Sequence, residues 1–239
     1  MDLLNDKVGY LYRKFLLSSF GRAFITSVYG LVDMIMIGQY HGPDGSAAMA
    51  VISPVWNIVY SFGLLTGIGG SVLYAVARGA DGNKKRADGY FTASVIYGGV
   101  ISAVLWLLLF LLEDPLLRLF GADDLLLPLC RRYLRAPHLT VPVYVFTGIL
   151  SAFVRNDSDP GLATASVIIG GVFNVFGDYF FVFTLDMGIE GAGIATALGA
   201  SISVLIMLLH FVRKKNPLPF TLPAAPLRAA AEISARGVS

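Results

Sequence analysis

Six long apolar segments, separated by short polar stretches, run through the 239-residue chain. Because about 20 mostly apolar residues are needed to cross the ~30 Å hydrocarbon layer as a helix, each segment predicts one membrane-spanning helix. The fourth segment is short, and we expect its helix to extend backward through "LLLPLCRRYLR". The predicted spans are residues 15–40, 47–77, 90–112, 137–154, 162–185 and 191–212.

The composition supports this all-α integral membrane fold, a six-transmembrane-helix bundle. Hydrophobic residues make up 56% of the chain and charged residues only 14%, whereas soluble domains contain about 25% charged residues. The basic residues form short clusters between apolar segments rather than a basic face, which argues against nucleic-acid binding. The single cysteine, Cys130, cannot form an internal disulfide, and no His/Cys group has metal-ligand spacing. We therefore expect no enzyme chemistry and no cofactor.

The basic residues also predict the orientation of the chain. Clusters at 7–14, 78–86 and 213–215 fall on one side of the membrane if the six helices alternate. Because cytoplasmic loops carry an excess of Lys and Arg, that side is predicted to be the cytoplasm, with both termini inside a multi-pass cell (plasma or inner) membrane protein. Arg131, Arg132 and Arg135 depart from this pattern, since they precede the fourth span on the opposite side.

Polar residues inside three of the spans are the candidates for function. Asp33 lies in the first span, Asn174 and Asp178 in the fifth, and Thr196 in the sixth. A charged side chain at the membrane centre costs about 2.5–3.5 kcal/mol on insertion scales, so intramembrane acids usually have a function. Asp33 and Asp178 lie seven residues before Tyr40 and Leu185, and Thr196 lies seven residues after Ile189. Each is therefore at a depth of roughly 10 Å from the same side of the membrane. Asn174 projects from the same helix face as Asp178.

Two interpretations of these residues stay open from the residues alone. Carboxylate, amide and hydroxyl oxygens together are suited to bind a hard cation or to hold a proton. Alternatively, the polar groups only join helices by hydrogen bonds. The segments "GPDGSAAMA" (42–50) and "GIEGAGIAT" (188–196) add a weak internal repeat, because each opens a helix directly after a span that carries an aspartate. Two similar tight hairpins would also account for it.

Four motifs in register resemble a known family. They are "VDMIMIGQYHGPDGSAAMAV" (32–51), "GIGGSVLYAVARGADGNKKRAD" (67–88), "FVRNDSDP" (153–160) and "GGVFNVFGDYFFVFTLDMGIEGAGIATALG" (170–199). The chain resembles the amino-terminal six-helix lobe of the multidrug and toxic compound extrusion (MATE) family. The resemblance implies a cation-coupled antiporter of twelve helices in two lobes, which exports amphipathic or cationic compounds in exchange for Na+ or H+. It carries the coupling-ion site over to Asp33, Asn174, Asp178 and Thr196.

The resemblance also bears on the domains and partners. Residues 1–215 correspond to one transmembrane lobe, and residues 216–239, rich in Pro and Ala, are expected to form a cytoplasmic linker toward a missing second lobe. The expected partners are the bilayer, a small-molecule substrate, and either the carboxy-terminal lobe or a second copy of the chain. Two alternatives remain, which are a lipid-linked saccharide flippase of the same superfamily and a truncated, non-transporting membrane protein.

Overall fold

The computed structural model describes residues 8–79, 82, 84–157, 159–212, 221 and 225–238, and these residues include no β-strand. The predicted all-α fold is therefore confirmed. In chain order the elements are α1 (Val8–His41), α2 (Pro43–Gly79), α3 (Lys84–Leu119), α4 (Leu126–Leu139), α5 (Val141–Asn156), α6 (Pro160–Asp178), a π-helical segment (Tyr179–Thr184), α7 (Gly188–Val212) and α8 (Pro226–Val238).

The described residues contain four helices long and apolar enough to cross a membrane, or five if the bent pair of α4 and α5 is one span. The four are α2, α3, α6 with its π-helical continuation, and α7. α1 is 34 residues long and contains the first predicted span, residues 15–40. It completes the bundle by packing on α6, α2 and α7.

The fourth predicted span extends backward as expected, but it is not one straight helix. α4 and α5 meet at Thr140 with a bend of 56°. Pro137 lies inside α4 and Pro142 lies at the start of α5. Because proline has no backbone N–H and its ring clashes with the preceding turn, two prolines five residues apart favour a break between them.

The fifth predicted span also differs from a simple helix. Its α-helical part ends at Asp178, and residues Tyr179–Thr184 continue as a π-helix. The Leu185 N–H donates to the Phe180 carbonyl oxygen at 2.9 Å, which is the five-residue spacing of this conformation. π-Helical turns are rare and occur frequently at functional sites. The change of helix type therefore falls directly after a candidate site residue.

Glycines bring pairs of helices into close contact in the bundle. A Cβ atom added to Gly148 of α5 would lie 2.6 Å from the backbone of Gly63 in α2. One added to Gly199 of α7 would lie 2.7 Å from the carbonyl oxygen of Gly170 in α6. Small residues allow such approach between membrane helices. The α6/α7 contact matters most here, because it brings two candidate side chains together.

The bundle has two ends, which we name after their turns. The Gly42 end carries the α1/α2 turn and the 185–187 loop before α7, and the Gly82 end carries the α2/α3 turn. The backbone φ angles of Gly42 and Gly188 are +69° and +56°, a region that favours glycine. The repeated segments 42–50 and 188–196 thus open α2 and α7 after similar glycine turns.

α8 packs on α2 and α3 toward the Gly82 end. Ala229 and Ile233 are its buried residues. The Tyr90 hydroxyl donates to Glu232 Oε2 at 2.7 Å, and the hydroxyls of Tyr97 and Ser234 are 2.8 Å apart. Part of the predicted 216–239 linker is therefore a helix that contacts the bundle, while residues 216–220, 222–224 and 239 lie outside the described part.

Candidate functional site

Asp33 lies on α1 at the contact with α6, and only 5% of it is exposed. The Tyr133 hydroxyl of α4 lies 3.3 Å from Asp33 Oδ2 and 3.2 Å from Thr196 Oγ1 of α7. Tyr133 is itself buried. A single phenol therefore connects the acid of the first predicted span with the hydroxyl of the sixth.

Asn174 and Asp178 are both buried on α6, one turn apart. The Asn174 amide nitrogen donates to Thr196 Oγ1 at 3.1 Å and lies 3.4 Å from Asp178 Oδ1. These contacts follow from the helix geometry, since residues four apart share a face, and from the close packing of α6 against α7. The structure thus brings together the three residues that the sequence places on the fifth and sixth spans.

The carboxyl groups of Asp33 and Asp178 are within hydrogen-bonding reach of each other. One oxygen of each acid and the amide oxygen of Asn174 are buried without a donor among the described residues; they are Asp33 Oδ1, Asp178 Oδ2 and Asn174 Oδ1. Buried acceptors without a partner are costly, because they lose their hydrogen bonds to water. The cluster therefore offers three buried acceptor oxygens that no described donor satisfies.

Tyr133 is the site residue that the sequence interpretation missed. The sequence pattern that could have identified Tyr133 is the helical spacing of the residues buried along α4, which include Cys130, Tyr133, Leu134 and Pro137. The neighbouring arginines obscured that pattern. Arg131 pairs with Asp114, and Arg135 pairs with Glu190 at 3.2 Å. Two of the three unexpected arginines, Arg131 and Arg135, thus have acidic partners at the Gly42 end.

A cavity of about 160 Å³ adjoins the cluster between α2, α5, α6 and α7. Asn174 and Thr196 form part of its wall. Its aromatic lining includes Trp56 and Tyr144, whose ring centroids are 4.8 Å apart, together with Tyr60. The cavity therefore has aromatic side chains on the side of α2 and α5, and the polar side chains of Asn174 and Thr196 on the side of α6 and α7.

A second buried polar cluster lies at the Gly82 end. Asp157, at the end of α5, accepts hydrogen bonds of 3.1 Å from the Tyr74 hydroxyl and from Arg78 Nη1 of α2. Its other oxygen lies 2.9 Å from His210 Nε2 of α7. Asp157 is only 4% exposed, so its contacts are shielded from water. This cluster ties three helices together far from the first one.

Comparison with known proteins identifies the fold. A family model described as MatE matches residues 18–180, which is more than half of the chain and includes Asp33, Asn174 and Asp178. The chain belongs to the MatE family. The family predicted from the sequence motifs is thereby confirmed, and the long apolar helices are those of a multi-pass membrane protein from a family of transporters rather than enzymes.

Curated relatives of this MATE chain are named as multidrug export proteins. It is similar to the multidrug export protein MepA of Staphylococcus saprophyticus, with 24% identity over 201 residues that cover 84% of this chain and 44% of the relative. MepA of Staphylococcus aureus strain MRSA252 is 23% identical over 193 residues, which cover 80% of this chain and 42% of the relative. The chain therefore spans less than half the length of either relative.

Solved structures agree with this MATE fold. The chain is similar to a multidrug resistance MATE family transporter of the MOP superfamily in an inward-facing conformation, with a TM-score of 0.82, 23% identity, and coverage of 92% of this chain and 52% of that one. A MOP superfamily transporter from Pyrococcus furiosus gives a TM-score of 0.80 at 22% identity, covering 93% and 49%. The chain thus has the fold of about half of such a transporter.

Proposed function

We propose that this chain is the coupling lobe of a cation-coupled antiporter, driven by Na+ or H+, that exports amphipathic or cationic compounds. The observation that supports the proposal is the cluster of Asp33, Asn174, Asp178 and Thr196, in which three buried oxygens have no donor among the described residues. The cluster joins α1, α6 and α7. It is therefore a place where one bound ion can act on three helices.

The chemistry of the cluster suits either coupling ion. Two carboxylates that approach each other away from water repel one another, and a shared proton or a bound cation removes that repulsion. Na+ is a hard cation that takes oxygen ligands, and Asn174 and Thr196 add neutral oxygens to those of Asp33 and Asp178. Ion binding would favour close packing of α1, α6 and α7, and release would favour another arrangement. Such a two-state equilibrium is what coupling requires.

The aromatic cavity supports the proposed class of substrate. Trp56, Tyr60 and Tyr144 offer ring faces that attract cationic groups, and the acids of the cluster lie nearby. A cavity of about 160 Å³ is smaller than the roughly 300–1,000 Å³ of drug-sized sites. A drug-sized molecule would therefore extend beyond this lobe, toward a wall that the carboxy-terminal lobe or a second copy of the chain supplies.

The two alternatives make different predictions. A flippase for lipid-linked saccharides calls for a long basic cavity, whereas the lining residues within the described part of the chain include no Lys or Arg. A truncated, non-transporting protein has no reason to bind an ion at the buried acids. The cavity lining thus favours the antiporter over the flippase, and ion binding separates the antiporter from the non-transporting protein.

The ion site is tested with the purified chain by thermal unfolding in detergent. The unfolding temperature is measured as NaCl replaces choline chloride at constant ionic strength, and separately as pH is varied. We expect one of the two ions to stabilise the chain, by about 2.7 kcal/mol at a concentration 100 times the dissociation constant. Asp178→Asn should remove that response, while Asp124→Asn, at an exposed loop acid, should keep it. A wild-type chain without any response contradicts the proposal.

The orientation is proposed from the basic residues, with the Gly82 end and both termini in the cytoplasm. Lys84 is exposed at that end. In a Cys130→Ala background, Lys84→Cys should react with a membrane-impermeant thiol reagent only after the cells are opened. Labelling from outside intact cells would reverse the orientation.

The need for a second lobe is tested by transport. Because one lobe forms only part of the wall around the pathway, we expect the 239-residue chain alone to give no drug resistance in an efflux-deficient host. Resistance that is accompanied by a cross-linked homodimer would identify a second copy of the chain as the missing partner.

A further inference from the structure

At the Gly42 end, two hydrogen bonds join the end of α1 to the loop before α7 and to the first turn of α7. The Tyr40 hydroxyl donates to Asp186 Oδ1 at 2.5 Å, and the Ile189 backbone N–H donates to His41 Nε2 at 3.1 Å. Tyr40 and His41 are the last two residues of α1. We call Tyr40, His41, Asp186 and Ile189 the clasp.

The backbone at the start of α7 fits the end of α1 closely. A Cβ atom added to Gly188 would lie 2.7 Å from His41 Nε2 and 2.8 Å from Tyr40 Cε1. Asp186 has a φ angle of +55°, a conformation that non-glycine residues rarely adopt. A residue persists in such a conformation when its surroundings hold it there, and the hydrogen bond from Tyr40 is a contact that does so.

The clasp lies close to the candidate ion site along both of the segments that lead to it. Asp33 precedes Tyr40 by seven residues within the same unbroken helix, and Asp178 precedes Asp186 by eight residues. At ~1.5 Å per helical residue, the clasp is therefore roughly 10 Å from the carboxyl cluster. Asp33 lies on α1, which ends at the clasp, and Asp178 lies at the end of α6, whose π-helical continuation leads to the clasp.

The contacts inside the cluster depend on the axial position of α1. Tyr133 lies 3.3 Å from Asp33 Oδ2, near the upper limit for a hydrogen bond. A slide of α1 by 1 Å, on the order of the tolerance of a hydrogen bond, would break this contact and move Asp33 away from Asp178. Something must fix the position of α1 along its axis.

We propose that Tyr40, His41 and Asp186 are positioning residues for the ion site. They fix the axial position of α1 against the π-helical segment and α7, so that Asp33 reaches Asp178 and the Tyr133 hydroxyl. The inference rests on the proposed function, because a positioning role exists only if the cluster binds an ion. It adds three residues outside the cluster to the determinants of ion affinity.

The experiment compares ion affinity rather than stability alone. The full chain is purified as wild type and as Tyr40→Phe, Asp186→Gly, Asp186→Asn and Tyr179→Phe. Asp186→Gly keeps the freedom to adopt a positive φ but removes the carboxylate acceptor, leaving only the backbone carbonyl oxygen 3.4 Å from the Tyr40 hydroxyl. Asp186→Asn keeps a side-chain acceptor oxygen and tolerates this conformation. Tyr179 is 61% exposed near the same end of the bundle, so its hydroxyl is the matched control. The half-saturating ion concentration is read from thermal unfolding.

We expect Tyr40→Phe and Asp186→Gly to raise the half-saturating concentration of Na+ or protons by about threefold to tenfold, as loss of one hydrogen bond predicts. Asp186→Asn and Tyr179→Phe should match the wild type. Unchanged affinity in Tyr40→Phe and Asp186→Gly, with only a lower unfolding temperature, would overturn the positioning role. An Asp186→Asn variant as weak as Asp186→Gly would contradict its hydrogen-bond basis. A wild-type chain that no ion stabilises would instead remove the ion site itself.

Discussion

The side-chain amide of Asn174 donates a 3.1 Å hydrogen bond to the hydroxyl of Thr196, joining α6 to α7 beside two buried acids. The same amide lies 3.4 Å from Asp178. The amide nitrogen is thus used within the protein, while the amide oxygen has no donor among the described residues. Asn174 is therefore oriented with its oxygen available to a cation.

This orientation predicts a moderate loss of ion affinity when either neutral ligand is removed. Asn174→Ala and Thr196→Ala each remove one neutral ligand, so we expect the ion dissociation constant to rise about fivefold, or ~1 kcal/mol, with the charge of the site unchanged. Thr196→Ser keeps the hydroxyl and should bind like the wild type. The ion titration of thermal unfolding measures all three. Equal affinity in all variants would leave these residues as links between helices.

The acids should have a larger effect than their neutral neighbours. Asp178→Asn keeps the volume of the side chain but cannot change charge, so we expect it to abolish ion-driven substrate exchange in vesicles that contain a complete transporter. Asp33→Asn should do the same, because the two carboxyl groups act as a pair. The fold should remain intact. Normal exchange by both variants would reduce the acids to structural roles.

The Asp157 cluster should contribute to stability instead of ion binding. Asp157→Ala leaves Tyr74, Arg78 and His210 without their shared acceptor, which predicts a loss of about 1–3 kcal/mol and a drop of several degrees in unfolding temperature. Asp124→Ala is the control, since the side chain of Asp124 is 91% exposed and such changes stay within about 0.5 kcal/mol. An equal, small effect of both substitutions would show that the cluster does not stabilise the bundle.

The α2/α5 contact should not tolerate a methyl group. Gly148→Ala places a Cβ atom 2.6 Å from the Gly63 backbone, so we expect a destabilisation of about 1–3 kcal/mol. Gly99→Ala in α3 is the control, because nothing lies within 4 Å of its added Cβ atom. That change should be neutral or stabilise the helix by up to about 1 kcal/mol. Thermal unfolding distinguishes the two results.

Acidification should loosen α8. The hydrogen bond from Tyr90, aided by Arg228 and opposed by burial, holds the pKa of Glu232 below its ordinary value of 4.5. A carboxyl group with a lowered pKa stabilises the folded state above its ordinary pKa, and this contribution is lost as pH falls through the lowered value. The docking of α8 should therefore weaken below pH 4.5.

The measurement is the distance between spin labels at Leu227→Cys and Val76→Cys, both exposed positions, in a Cys130→Ala background. Its distribution should broaden at low pH in the parent chain. Glu232→Gln keeps an acceptor for Tyr90 but does not titrate, so its distribution should not change with pH. The same broadening in Glu232→Gln would assign the effect to another group.

Much of the fold could be predicted because a membrane helix is determined by the residues of its own segment. A run of apolar residues long enough to span the bilayer must form its hydrogen bonds within the segment, so hydropathy predicts helices without knowledge of their neighbours. The same local logic identified Asn174 and Asp178, which share a helix face by their spacing. The glycine turns at Gly42 and Gly188 likewise follow from residues adjacent in the chain.

Tertiary structure alone decided which distant groups meet. Tyr133 is separated by 100 residues from Asp33 and Tyr40 by 146 from Asp186, and no periodicity in the sequence encodes contacts of that range. The docking of α8 depends in the same way on side chains of α2 and α3, whereas the bend between α4 and α5 has a local cause in Pro137 and Pro142. Hydropathy and helix geometry are properties of one segment, whereas the candidate ion site and the clasp are formed by several segments held in register.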